Sequence, residues 1–256
     1  LRAKNYKVTV VDRGKMLGGR GQVFEKNGFK HDAGPTVITA PFLLEELFEL
    51  FNEKLEDHVK LVPLTPWYRF YFSDTTTFDY GGTLDETLAE IRKISPKDVN
   101  GYLKLLKHSQ RIFNIAFVKL SSVPFNHFVK MLMLVPKLVA LKSYETVWRM
   151  VCRYISNDKL RQAFSIQPLL VGGNPFSTTS IYGLIHYLER AYGVFFAMGG
   201  TGAIVKALSD LMKRNNIEVL LNTTVTKVVV NNGLAKKVIF ADGSSKNIDL
   251  IVSNAD

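Results

Sequence analysis

Hydrophobic and polar positions along this chain change period more than once, and each change marks a different kind of structure. Residues 7–12 carry a β-rich run, Val8-Thr9-Val10-Val11, that closes on Asp12 and predicts a strand. Residues 1–5 before it read as the end of a helix, and a glycine-rich turn, Leu17-Gly18-Gly19-Arg20-Gly21, follows. Residues 21–26 and 29–31 flank Asn27-Gly28, the pair that best signals a tight hairpin. The period turns helical over 41–51, where Leu43, Leu44, Leu47, Leu50 and Phe51 recur at helix spacing. Residues 67–72 and 75–80 predict paired strands around Ser73-Asp74. From 83 to 190 the pattern is helical, punctuated by Pro96, Pro124, Pro136, Pro168 and Pro175. A strand over 194–197 then meets Gly199-Gly200-Thr201-Gly202 and a helix over 203–214. Strands over 218–221, 225–230, 237–240 and 248–253 complete the pattern, with turns at Asn232-Gly233 and Asp242-Gly243.

Two ends with strand–glycine–helix order therefore bracket a helical middle. That order predicts an α/β fold: a nucleotide-binding domain from residues 1–60 and 193–256, interrupted by an α+β insertion over 61–192. A length of 256 residues, 46% apolar and 22% charged, excludes a disordered, collagenous or coiled-coil protein. The lone Cys152 excludes an internal disulfide and a multi-cysteine metal site, and the histidines have no metal-like spacing.

Charge narrows the partners. The formal balance is +10, and residues 99–144 contain no Asp or Glu while holding seven of the Lys and Arg. The same stretch is dense in large apolar side chains, among them Phe125, Phe128 and Leu132. Basic helices with bulky apolar faces describe a segment lying in an anionic lipid interface; a core helix pair with solvated lysines is the plainer alternative. Nucleic acid is not expected, because no zinc-finger spacing, RNP motif or basic run interleaved with stacking residues is present. No run reaches the roughly 18 apolar residues of a membrane-spanning helix. The chain starts at Leu1, without an initiator Met, and is expected to be a piece of a longer protein.

An acid at the end of a parallel strand is where dinucleotide folds bind a ribose hydroxyl, and Asp12 has that setting, although a polar residue closing an ordinary strand looks the same. Gly18-Gly19-Arg20 adds a backbone that can approach a diphosphate and a guanidinium that can pair with it; a solvated turn carries the same residues.

The run Val10-Val11-Asp12-Arg13 through Leu17-Gly18-Gly19-Arg20, then Gly28-Phe29-Lys30-His31-Asp32-Ala33-Gly34-Pro35-Thr36, resembles the bacterial-type phytoene desaturases, carotenoid enzymes of the flavin amine oxidase-like group. Gly193 to Ala203 and Ser253-Asn254-Ala255-Asp256 match the same family. The resemblance implies a Rossmann-like FAD-binding domain, here incomplete. It places Asp12 at the adenosine ribose, where the family more often has Glu, and Arg13, Gly18, Gly19 and Arg20 along the diphosphate and ribityl chain. Gly34, Pro35 and Thr36 would run beside the isoalloxazine, and the backbone of Val225 would meet the adenine; strand burial explains Val225 as well. The family's N-terminal glycine motif and C-terminal Gly-Asp motif fall outside residues 1–256, so this chain alone is expected to hold FAD weakly or not at all.

The implied reaction is FAD-dependent desaturation of a linear isoprenoid hydrocarbon, with oxygen or a quinone as terminal acceptor. The implied setting is the cytoplasmic face of a membrane, bound peripherally. Such a substrate offers nothing to ionise, and no acid–base pair or nucleophile triad stands out; a dry aromatic pocket would be the site. Trp67, Tyr68 and Phe70 are lining candidates, and core packing accounts for them equally. Phe125, Phe128 and Leu132 are the residues expected to dip into the acyl layer. A carotenoid isomerase, ketolase or retinol saturase-like enzyme, and a flavin-free lipid-binding relic, are the alternatives.

Overall fold

The computed structural model describes residues 1–120 and 128–254, the side chains of 128–131 and 133 excepted. Phe125 lies outside the described residues, as does the side chain of Phe128. In chain order the elements are β1 (Thr9–Val11), β2 (Val23–Lys26), β3 (Phe29–Asp32), α1 (Phe42–Glu49), β4 (Leu61–Pro63), β5 (Tyr68–Tyr71) and β6 (Thr77–Tyr80). Then come α2 (Leu84–Ile94), α3 (Val99–Ile112), α4 (Phe128–Ala140), α5 (Val147–Tyr154), α6 (Asp158–Ala163) and α7 (Leu184–Tyr192). Last are β7 (Phe195–Ala197), α8 (Thr201–Arg214), β8 (Glu218–Leu220), β9 (Val225–Asn231), β10 (Leu234–Phe240) and β11 (Ser245–Asn247). The mixture of helix and sheet is that of an α/β protein.

The chain forms two compact units. The first comprises Leu1–Thr36, Leu44–Lys60 and Ala197–Asp256; the second, Val37–Leu43 and Leu61–Phe196. Residues 37–43 and 193–196, read from the sequence with the nucleotide-binding part, thus pack in the second unit.

In the first unit β1 runs parallel to β8, Val10 opposite Val219. Asn27 (φ 54°) and Gly28 (φ 81°) turn β2 into β3, the conformation a two-residue hairpin demands. Ile204, Ala207 and Leu211 recur at helical spacing and bury one stripe of α8. Strands β9, β10 and β11 form an antiparallel sheet. The expected strand at 248–253 is absent: β10 pairs with 245–247 instead, and Leu250, Ile251 and Val252 stay exposed. An apolar run needs a sheet edge to satisfy its backbone before it becomes a strand.

The second unit holds a core of Phe78, Tyr80, Ile91, Tyr102, Leu105, Ile112, Met150, Val151, Leu160 and Phe164. Thr83 and Glu86 start α2 with a reciprocal capping box. Pro136 does not end a helix as its position in the sequence suggests; α4 runs through it, at the cost of one backbone hydrogen bond.

Asp98 ties this unit together. One carboxylate oxygen accepts from the Ser156 N–H at 2.7 Å and its hydroxyl at 2.8 Å, the other from the Asn157 N–H at 2.9 Å. Burial pushes its pKa up, but these hydrogen bonds outweigh burial and hold it below the ordinary carboxylate value. A depressed carboxylate stabilises the fold above its unfolded pKa and loses that contribution as pH falls through the folded one. Asp98→Asn is therefore expected to cost about 2 kcal/mol at pH 7 and clearly less below about pH 3. Urea unfolding at both pH values checks this; an equal cost at both would exclude an ionised role.

Candidate functional site

In the first unit Asp12 leaves the C-terminal end of the parallel β1–β8 pair, the end at which open α/β sheets bind ligands. Its Oδ1 accepts from the Gly14 N–H at 2.6 Å, which fixes the turn. The Thr223 N–H donates to the Asp12 carbonyl at 3.0 Å and the Asn222 N–H to the Gly14 carbonyl at 2.9 Å. Val225, at the start of β9 opposite Phe240, thus stands two residues from a direct contact with that turn.

Three glycine-bearing segments interlock beside it. Gly18 (φ 112°) and Gly19 (φ 50°) are left-handed, and a Cβ on Gly18 would come within 3.2 Å of the Val205 methyls of α8. A Cβ on Gly34 would overlap the carbonyl oxygen of Arg20. The Ala33 N–H donates to the Gln22 carbonyl at 2.8 Å, and the Thr201 hydroxyl to the Pro35 carbonyl. The Thr201 N–H donates to Asp32 Oδ1 at 3.2 Å. Residues 18–22, 32–36 and 199–202 therefore form one cradle, with Arg13, Gly19, Arg20, Gly34, Pro35 and Thr36 exposed.

Asp32 places a carboxylate at the N-terminus of α8, so that helix end is already compensated and is a poor place for a second anion. A diphosphate at this cradle would meet the Gly18-Gly19-Arg20 turn instead. Nothing lies within 4 Å of where a Cβ on Gly19 would sit. A carboxylate for a ribose, open glycine backbone and a guanidinium fit the adenosine-diphosphate end of a dinucleotide.

The second unit contains a buried polar group to which the sequence assigns no role. Glu189, on α7, is completely buried and accepts from the Tyr68 hydroxyl at 2.8 Å. Its Oε2 has no hydrogen-bond partner among the described residues. Next to it, the Arg190 guanidinium donates to the Gly82 carbonyl at 2.6 Å and the Thr87 hydroxyl at 2.8 Å, and lies 4.4 Å from the centre of the Trp67 ring. Tyr68, Trp67 and Phe70 all pack in or against the core: Trp67 edge-on to Tyr80, Phe70 stacked on Phe78 at 5.9 Å. Of the expected lipid-facing residues, Leu132 is exposed. His31, next to the glycine motif, is exposed and stacked on Phe24 at 5.2 Å.

Burial pushes the Glu189 carboxyl up to about 7, against the Tyr68 hydrogen bond and the Arg190 charge, which pull it down. Burial likewise pushes Tyr68 up and His186, one turn away on α7, down to about 4. A carboxyl raised in the folded state stabilises at low pH and loses that contribution between its unfolded and folded pKa values. Relative to Glu189→Gln, the native chain is expected to lose up to about 3 kcal/mol as pH rises from 4.5 to 7, with no further change above. His186 runs the opposite way, so its contribution grows over the same range and appears undiluted in the variant. Paired denaturation curves across this range test it, and parallel pH dependences would overturn it.

Two features were legible only in space. Asp32 and Thr201 meet across 169 residues. The signal for Glu189 is faint: it is the first acid after Asp158, on a helix whose other residues, His186 and Arg190 apart, are apolar or aromatic.

Comparison with known proteins agrees with this architecture. The family pattern for flavin containing amine oxidoreductases matches residues 1–256. The chain is 43% identical over 256 residues to the lycopene-forming phytoene desaturase of Pseudescherichia vulneris and 41% identical to that of Pantoea ananas. Each alignment covers 100% of this chain and 52% of the relative, so the chain spans about half the length of the curated relatives it matches. Among solved structures, an oxidoreductase from Methanosarcina mazei superposes with a TM-score of 0.62 at 15% identity, covering 97% of this chain and 53% of that one. That likeness concerns the fold, whereas the family match runs along every residue. This chain belongs to the flavin containing amine oxidoreductase family.

Proposed function

We propose that this chain is part of an FAD-dependent desaturase of a linear, phytoene-like isoprenoid hydrocarbon, working at a membrane surface. The observation that carries the reading is 43% identity, along all 256 residues, to a relative named for that reaction. When bound, FAD supplies the two-electron acceptor that an unactivated hydrocarbon requires. The chain's own part is to bind and to exclude water. Asp12 would receive a ribose hydroxyl on the carboxylate that Gly14 holds in place. Gly18, Gly19, Arg13 and Arg20 would follow the diphosphate and ribityl chain, and Gly34, Pro35 and Thr36 the isoalloxazine edge.

Support for the membrane surface comes from α4. Leu132, Val135 and Val139 are exposed at i, i+3 and i+7, one apolar stripe, with Lys137 and Lys142 exposed nearby. A cationic helix with an outward apolar stripe is suited to lie in an anionic lipid interface. No helix among the described residues is long and apolar enough to cross a membrane. A cytoplasmic, peripheral position and oxygen or a quinone as terminal acceptor belong to the same proposal.

Expression of the complete reading frame in phytoene-accumulating bacteria tests the reaction. New conjugated double bonds in the pigment spectrum are expected. Colourless cells containing folded, flavin-loaded protein would reject phytoene and favour an isomerase or saturase; colourless cells with flavin-free protein would favour a lipid-binding relic.

A further inference from the structure

A second surface of the same unit turns large apolar side chains outward. Residues 167–171 form a single 3-10 turn that ends on the left-handed Gly172. Leu169, Leu170 and Val171 on it, and Phe176 just beyond, are 59%, 40%, 60% and 62% exposed. Large apolar residues concentrated in one short loop mark an interaction site rather than ordinary surface.

Hydrogen bonds within the chain hold the loop's backbone. The Leu169 N–H donates to the Ile166 carbonyl at 2.8 Å, the Gly172 N–H to Leu169 at 3.1 Å and the Gly173 N–H to Pro168 at 2.7 Å. The Phe176 N–H donates to Asn174 Oδ1 at 2.9 Å, and the Pro175 carbonyl accepts from the Trp148 N–H at 3.1 Å. Gln167 and Pro168, which open the turn, are buried. A loop whose backbone groups are paired internally can enter a water-poor layer without stranding them, which is the condition lipid imposes on any backbone.

Charge selects the occupant. Between residues 99 and 188 Lys and Arg occur eleven times and Asp and Glu only at 145 and 158. Both acids are already paired, Glu145 with Arg153 and Asp158 with Arg161 at 2.9 Å. A segment with that balance of charge favours anionic lipid over a second copy of itself. The segment that follows the loop joins the chain just after α4: the Ser180 N–H donates to the Glu145 carbonyl at 2.8 Å, the Ser180 hydroxyl to the Lys142 carbonyl at 3.1 Å and the Thr179 hydroxyl to the Ser143 carbonyl. Ile181, on the same segment, completes an apolar recess of 280 Å³ with Val135, Leu138, Val139 and Tyr144.

We propose that the 167–176 loop is a second lipid-inserting element, which enters the acyl boundary of an anionic membrane alongside α4. The proposal rests on the membrane reading given above, and its test separates the two. In a Cys152→Ala background, Leu170→Cys and Val139→Cys are each labelled with an environment-sensitive dye. Vesicles of equal parts phosphatidylcholine and phosphatidylglycerol are then added. Both labels are expected to brighten and shift to the blue. Response at residue 139 alone would overturn the loop's role and leave α4 as the membrane face; response at neither would remove the membrane reading and the loop with it. A blue shift at residue 170 that follows protein concentration without vesicles would assign the loop to a second copy. Replacing Leu170 and Phe176 together by Ser, with an unchanged circular dichroism spectrum, is expected to weaken vesicle binding at least about tenfold; unchanged binding would overturn the proposal.

Discussion

Gly34→Ala is expected to destabilise the first unit by about 3 kcal/mol or more and to abolish flavin retention in the complete protein. The cause is steric and backbone-on-backbone. A Cβ at residue 34 would overlap the Arg20 carbonyl, and the Gly21 Cα lies 3.8 Å away, so no flexible side chain can yield. To make room, segment 32–36 must separate from 18–22. The Ala33–Gln22 hydrogen bond would be strained, and with it the Pro35 carbonyl that Thr201 holds and the Asp32 carboxylate at the head of α8. Gly19→Ala is the informative control. Its φ of 50° costs an L-residue about 1 kcal/mol, but a Cβ there would meet nothing within 4 Å. The conformationally ordinary glycine should thus be the intolerant one. Thermal unfolding and flavin content decide the matter: Gly34→Ala melting as mildly as Gly19→Ala would show that the crossing is looser than described.

What the sequence disclosed and what it hid divide along the range of the interactions. The β2–β3 hairpin was legible because Asn27 and Gly28 solve a local dihedral problem. The stripe of α8 was legible because helix period is local too, and so was β1, where a β-rich run ends on an acid. The cap of α8 was not: Gly200 offers no side chain, and the carboxylate that compensates the helix arrives from Asp32, across a whole inserted unit. Residues 248–253 look like a strand by composition, yet β10 had already paired with 245–247. Pro136 looks like a helix end and is a helix interior, because one missing donor is tolerated when the turns on either side remain bonded. For the candidate site, motifs brought Asp12, Gly18-Gly19-Arg20 and Gly34 to notice, but not the reason for the glycines. Gly34 is small for the sake of the Arg20 carbonyl, a neighbour only in three dimensions. Trp67, Tyr68 and Phe70 left two readings open, and their contacts place all three in or against the core.

Arg190→Met is expected to cost the second unit about 4 kcal/mol, the largest single-residue effect away from the cradle. Three losses combine. The Gly82 carbonyl and the Thr87 hydroxyl lose a charged donor, the Trp67 ring loses the cation over its face, and Glu189 loses the positive charge that opposes its burial. The methionine refills the volume, so the cost is electrostatic and not that of a cavity. Arg190→Lys separates charge from geometry: an ammonium keeps the cation near Glu189 but cannot fork to Gly82 and Thr87 together, so it should recover only part of the loss. Glu189→Gln in the Arg190→Met background supplies the coupling. If the guanidinium offsets the buried carboxyl, the double variant should be less destabilised at pH 8 than the two single costs add up to, by about 1 kcal/mol. Below the pH at which Glu189 is fully protonated the non-additivity should shrink, because a neutral carboxyl no longer needs the cation. Strict additivity at both pH values would mean that Arg190 serves Gly82, Thr87 and Trp67 alone, and that the carboxyl of Glu189 is stabilised by Tyr68.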